Sequence, residues 1–154
     1  MLSPGQTLPA FTLTDKSGQS YESKKFLEEG PAVFVLFKAS CPTCQLLLPF
    51  LDRFEEQNSP AKVVLISQDD ARTARDFRAH FRLQALTLVD QAPAYAVSNA
   101  FGITHVPSIF YAEPDGRLSF VSSGFSRAEL EELAQMSSVA LFRENEAVPD
   151  WRAG

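Results

Sequence analysis

The two cysteines of the chain lie in one segment, Ser40-Cys41-Pro42-Thr43-Cys44. Thiolates are the nucleophiles of disulfide exchange, and two intervening residues leave the sulfurs near enough to close a small ring. The segment joins an apolar run to an amphipathic stretch, so Cys41 is expected at the first turn of a helix. There, unpaired backbone N–H groups and the positive end of the macrodipole favour thiolate over thiol. Cys41 is the expected nucleophile. Cys44 sits one turn deeper, where burial is expected to hold it protonated until needed, and is the expected resolving thiol. Two plainer readings compete: inert core thiols, or half of a zinc site. Structural zinc usually takes four Cys or His ligands, and His80 and His105 complete the chain's supply at spacings unlike a compact zinc module. No metal and no cofactor is expected.

The elements that must position these thiols follow from pattern. Residues 11–14 with the Ser17-Gly18 turn suggest a short N-terminal hairpin, followed by a helix over 22–29 ending at Gly30. Ala32–Lys38 is apolar without alternation and rich in Val and Phe, which predicts a central parallel strand covered on both faces. Residues 42–57 predict an amphipathic helix with Leu47, Leu48, Leu51 and Phe54 on one side. A second strand over 63–66, a charged helix from Asp69-Asp70 to Arg82, a strand over 86–89 and a helical stretch over 92–101 repeat the unit. Strands 108–111 and 118–121 flank the Pro114-Asp115-Gly116 turn as an antiparallel hairpin. Ser126 and Glu129 form a capping box for a last helix through Ala134. Strand-helix units followed by a hairpin give an α/β sandwich, its mixed sheet covered by helices on both faces.

Composition bounds the rest. With 154 residues, one domain over 1–154 is expected, with 139–154 as a C-terminal tail. Thirteen phenylalanines against seven glycines mark a core-forming chain. Nineteen acidic against fourteen basic residues, with no basic cluster, give no attraction to nucleic acid. No run approaches the roughly 18 to 20 apolar residues of a spanning helix, so no membrane partner is expected. The opening MLSPGQTLPAFTLTD has no cation before Lys16 and no apolar signal core, which leads to the expectation of a cytoplasmic protein.

Three features together resemble the thioredoxin superfamily, specifically its redoxin or TlpA-like thiol:disulfide oxidoreductases, over about residues 5–137. Cys41-Pro42-Thr43-Cys44 follows the apolar strand; Pro49 interrupts the next helix; Val106-Pro107 precedes the hairpin, where the family has its cis-proline. The extra strand and helix between the motif and Val106-Pro107 match a redoxin insertion. The resemblance implies a thioredoxin-like three-layer sandwich and disulfide exchange through a mixed disulfide. It implies Pro107 as a catalytic-site residue beside Cys41, and Val106, Pro42 and Thr43 as contacts for an extended substrate. Protein disulfides would be the substrates, with a dithiol reductant such as a thioredoxin reductase system or glutathione.

The chain also departs from the family. Val35 stands where thioredoxins bury an aspartate, and Leu47 where some TlpA-like proteins have a glutamate, so both familiar proton acceptors are missing. Lys38 could act on Cys41 through its charge, or simply reach water; His105 could relay a proton for Cys44, or be an ordinary loop residue. A peroxiredoxin also shows Cys-Pro-Thr, but needs a hydroxyl residue and a proline where this chain has Lys38 and Phe34; its arginine would have to come from Arg117 or Arg127. A non-enzymatic redox-sensing module is the third alternative. In the tail, Val148-Pro149-Asp150-Trp151 reads either as a segment anchored by Trp151 or as a partner-docking strand.

Overall fold

A computed structural model describes residues 1–154. In chain order the elements are β1 (Thr12–Asp15), β2 (Ser20–Glu22), α1 (Ser23–Phe26), β3 (Ala32–Phe37) and α2 (Pro42–Leu51). A 3₁₀ turn over Asp52–Glu56 precedes β4 (Lys62–Ser67), α3 (Ala71–Phe81), β5 (Leu86–Val89), α4 (Ala96–Phe101) and β6 (Ser108–Ala112). β7 (Leu118–Ser123), β8 (Phe125–Ser126), α5 (Arg127–Ser137) and β9 (Trp151–Arg152) complete the chain. Seven strands form one mixed sheet in the order β2-β1-β5-β4-β3-β6-β7. β3, β4 and β5 are parallel, β6 runs antiparallel to β3, and the N-terminal hairpin closes the β5 edge. No helix is long and apolar enough to cross a membrane.

The absence of alternation in β3 has a direct structural counterpart. Val33, Val35 and Phe37 face one core, with Leu47, Leu48 and Leu51 of α2, Phe77 of α3 and Leu130 and Leu133 of α5. Ala32, Phe34 and Leu36 face the other, with Val97 and Phe101 of α4 and Phe110 of β6. All six β3 residues are fully buried, so the strand must be apolar on both faces. The register also defines two poles. Ala32 pairs with Lys62 and Ala112 at one end; Phe37 pairs with Ser67, and Leu36 with Ser108, at the other. The loops after β3 and β4 and before β6 therefore converge at the second pole.

Several helices are shorter than patterned. Instead of 22–29, α1 stops after Phe26, and Leu27, buried in the second core, caps it with its N–H on the Lys24 carbonyl. Instead of continuing to 57, α2 gives way at Asp52 to the 3₁₀ turn, where the Asp52 carboxylate accepts the Gln84 and Ala85 N–H groups. α4 starts only at Ala96, because Tyr95 at its N-cap is left-handed, with φ of 42°. α5 runs on to Ser137. Its capping box is half made: Ser126 Oγ accepts the Glu129 N–H, but the Glu129 carboxylate turns to accept from Ser122 Oγ.

The tail is not a free extension. Arg53 clamps it through two bonds to the Glu146 carboxylate and one to the Leu141 carbonyl, which holds Glu146 down to a pKa of about 2. Further on, β9 pairs antiparallel with β8. Trp151 is 62% exposed and its ring anchors nothing, against the reading of the tail as a segment anchored by Trp151. Its backbone, rather than its ring, is what the fold uses.

Candidate active site

Cys41 is the N-cap of α2 and Pro42 its first helical residue, where a missing N–H costs nothing. The Cys44 N–H donates to Cys41 Sγ at 3.2 Å, so a helix-start donor points at the sulfur where negative charge would collect. The Cys41 thiol is also 3.5 Å from the Val106 carbonyl oxygen. The Val106–Pro107 bond is cis, and Pro107 is buried. Residues 65 apart in sequence are thus in contact, because β6 starts beside the end of β3.

The two thiols, both unbonded to one another, differ sharply in setting. Cys41 is partly exposed; Cys44, in the first turn of α2, is fully buried on the helix's core face. Burial pushes the Cys44 thiol far above the ordinary thiol range. Its hydrogen bond to Cys41 and the negative charges of Cys41 and Asp69 push the same way, while a backbone hydrogen bond from Lys38 opposes them. Near neutral pH the reduced protein should therefore be alkylated at Cys41 first, because thiolate fraction and access set the rate. Cys44 should stay unlabelled until strongly alkaline pH or denaturation frees it. Peptide mapping after timed iodoacetamide treatment checks this, and preferential Cys44 labelling would reverse the roles.

Lys38 is exposed and makes no ion pair. His105 is exposed too, its Nδ1 2.9 Å from Thr104 Oγ1, and it hydrogen-bonds neither thiol. Pro42 is exposed beside Cys41, as a contact residue must be, but Thr43 is not. Thr43 is buried, and its hydroxyl donates to the Ala153 carbonyl, so the chain itself holds the group assigned to substrate. Phe34 is wholly inside the sheet, in the second core, and cannot line a site at Cys41. Arg117 pairs across to Thr7 beyond β6, at the pole opposite Cys41. Arg127 is engaged by Glu131 at 3.1 Å and lies over the Phe142 ring.

Asp69 was not a candidate from sequence, where it reads only as part of a helix start. Its Oδ2 accepts the Ala39 N–H at 2.8 Å and the Ser67 hydroxyl at 3.0 Å, pinning the loop that carries Cys41. The available signal was topological: Asp69 follows the strand parallel to and beside β3, so it must emerge at the same pole.

Among solved structures, the fold is similar to the thioredoxin domain of a thiol-disulfide oxidoreductase from Bacteroides vulgatus, with a TM-score of 0.76 at 16% identity over 88% of this chain and 98% of that one. It is also similar to peroxidoxin BcpB from Mycobacterium tuberculosis, with a TM-score of 0.71 at 23% identity over 86% of this chain and 94% of that one. These identities speak for the fold alone. By sequence, the chain is 28% identical over 122 residues to chloroplastic peroxiredoxin Q of Oryza sativa subsp. japonica, covering 78% of this chain and 54% of that protein. The chain therefore spans about half the length of the curated relatives it matches. The Redoxin family model matches residues 3–138, nearly all of the sheet, its helices and the Cys41 pole. The chain belongs to the Redoxin family, on the thioredoxin fold.

Proposed function

We propose that the chain is a dithiol-disulfide oxidoreductase acting on protein disulfides. The observation that carries this reading is the unequal pair: a partly exposed Cys41 sulfur facing both an N–H donor and the Val106 carbonyl, with a buried Cys44 thiol behind it. The Cys41 thiolate attacks one sulfur of the substrate disulfide; that S–S bond breaks, and the released substrate thiolate takes a proton from water. Cys41 is now held in a mixed disulfide and no longer carries charge. Burial, the largest cause of the raised Cys44 pKa, remains, but the smaller contributions from the Cys41 hydrogen bond and charge are removed, so Cys44 ionises more readily than in the reduced protein. It attacks Cys41 Sγ, forming the Cys41–Cys44 disulfide and releasing the second substrate thiol. Two electrons pass from the dithiol to the substrate without a cofactor. A dithiol reductant, of the thioredoxin reductase or glutathione kind, returns the pair to its reduced form.

A thiol peroxidase is the second reading, favoured by the likeness to peroxiredoxin Q. Peroxide chemistry needs donors aimed at the O–O bond as well as a thiolate. Against this reading, the corresponding positions hold an exposed Lys38 and a core Phe34, Arg117 lies at the opposite pole, and the Arg127 side chain is paired with Glu131. A reduced protein offered hydrogen peroxide and a protein disulfide in parallel should reduce the disulfide readily and consume peroxide no faster than an ordinary thiol. Peroxide consumption orders of magnitude above that of free cysteine, lost in Cys41→Ser, would establish the peroxidase instead. Turnover with a reductase present separates either enzyme from a redox sensor, which would react once and stop.

A further inference from the structure

Residues 149–154 lie across the pole that carries the thiols. β9 pairs with β8 through Phe125↔Arg152 and Ser126↔Trp151, and the Arg127 N–H donates to the Asp150 carbonyl at 2.9 Å. Beyond β9, the Ala153 carbonyl takes the Thr43 hydroxyl, next to Cys44. Gly154 then meets the Val106 carbonyl so closely that a Cβ on it would lie 2.5 Å from that oxygen. This is the carbonyl that the Cys41 thiol touches. The crossing over Gly124 is equally close: a Cβ there would lie 2.7 Å from the Arg152 carbonyl oxygen.

How the segment is held matters more than where it lies. Asp150, Trp151, Arg152, Ala153 and Gly154 are all exposed, and no member of either hydrophobic core lies beyond Val148. A cavity of about 310 Å³ remains between it and α2, lined by Pro42, Thr43, Leu46, Pro149 and Arg152. The contacts that hold these residues are therefore mainly backbone pairing plus one hydroxyl. Along β9 such adhesion makes little use of side chains, and another extended peptide could supply it by adding a strand to the β8 edge; only at the Val106 carbonyl, where Gly154 sits, would a side chain force a shift.

We propose that residues 149–154 are a displaceable strap, an intramolecular stand-in for an extended peptide substrate in the groove formed by β8, Thr43 and Val106. This rests on the disulfide-exchange reading and names its substrate class: disulfides carried in extended peptide segments, which must displace the strap to run antiparallel to β8. Small disulfides and small oxidants need only the Cys41 sulfur. The strap thus sets a threshold for macromolecular partners, and an incoming peptide replaces its backbone pairing with β8 and its acceptor for the Thr43 hydroxyl.

The test uses Cys41 alkylation, which does not depend on turnover. Three proteins are compared: the chain as described, a variant lacking Pro149–Gly154, and Arg127→Pro, which removes the N–H that holds Asp150. Arg127 is the first residue of α5 and follows an extended Ser126, so proline fits there without breaking the helix. Each is treated with iodoacetamide and with a bromoacetyl group on a side chain in the middle of an extended octapeptide. Strap removal should raise the octapeptide rate by roughly tenfold, the effect of freeing a groove closed about nine-tenths of the time, while the iodoacetamide rate stays within about twofold. Arg127→Pro should move the same way by a smaller factor and lower the fluorescence anisotropy of Trp151, the chain's single tryptophan. An octapeptide rate that is unchanged or slower without the strap, or one that rises in step with iodoacetamide, would overturn the proposal. Should the alkylation rates behave as expected while neither a peptide disulfide nor a small one is reduced, the strap stands and the oxidoreductase reading falls.

Discussion

Replacing Cys44 by serine is expected to leave a protein that attacks a disulfide once and remains bound to its substrate. Cys41 keeps its exposure and its position at the start of α2, so the first S–S exchange proceeds, but no second thiol releases the product. Turnover falls to background, and a covalent adduct sensitive to dithiothreitol accumulates on non-reducing gels. Cys41→Ser should abolish turnover equally and form no adduct, because Cys44 is wholly buried and held protonated. Fold stability should change little in the Cys41 variant, where a partly exposed sulfur is exchanged for oxygen. The Cys44 variant places a hydroxyl in an apolar core and should lose about 1–3 kcal/mol unless that hydroxyl finds a partner. Adduct formation with Cys41→Ser, or sustained turnover with Cys44→Ser, would remove the roles assigned to the pair.

The second large effect is on stability. Phe37 is the last residue of β3, fully buried, and its ring lies 5.1 Å from that of Phe77, whose own centroid is 4.7 Å from the tilted ring of Phe81. Phe37→Ala should cost about 3–5 kcal/mol, since the lost transfer energy is joined by a cavity that the sheet and α3 cannot close. Against a total of about 5–15 kcal/mol for a typical domain, that is a large fraction, and at roughly 2–4 °C per kcal/mol it lowers Tm by about 10 °C. The site should suffer with it, because Lys38 to Ser40 hang between Phe37 and α2. Thermal denaturation and urea titration measure the loss. A change under about 1 kcal/mol would mean that α3 collapses onto the vacancy, and that the Cys41 loop is held by Asp69 rather than by the core.

Much of the molecule was legible from local chemistry alone. The unalternating run at β3, the Cys41-Pro42-Thr43-Cys44 spacing, the Pro114-Asp115-Gly116 turn and the Ser126 cap each depend on residues a few positions apart, and each marks an element the structure contains. Errors gathered at helix ends. Asp52 ends a helix through bonds to distant backbone and Tyr95 delays one through a left-handed backbone, neither of which a helical period encodes.

By itself, then, the sequence determined the order of the strand-helix units, the two-faced burial of β3 and the placing of Cys41 before Cys44 at a helix start, because these follow from periodicity and capping within one segment. Only the tertiary structure decided what surrounds the thiols. Val106 reaches Cys41 because β6 begins where β3 ends, and Asp69 grips Ala39 because β4 is parallel to β3. The strap was beyond reach for the same reason: a two-residue strand has no period to read. Its partners are a backbone edge at Phe125–Ser126 and a threonine 110 residues away, brought together by the closure of the sheet rather than by any pattern in the tail.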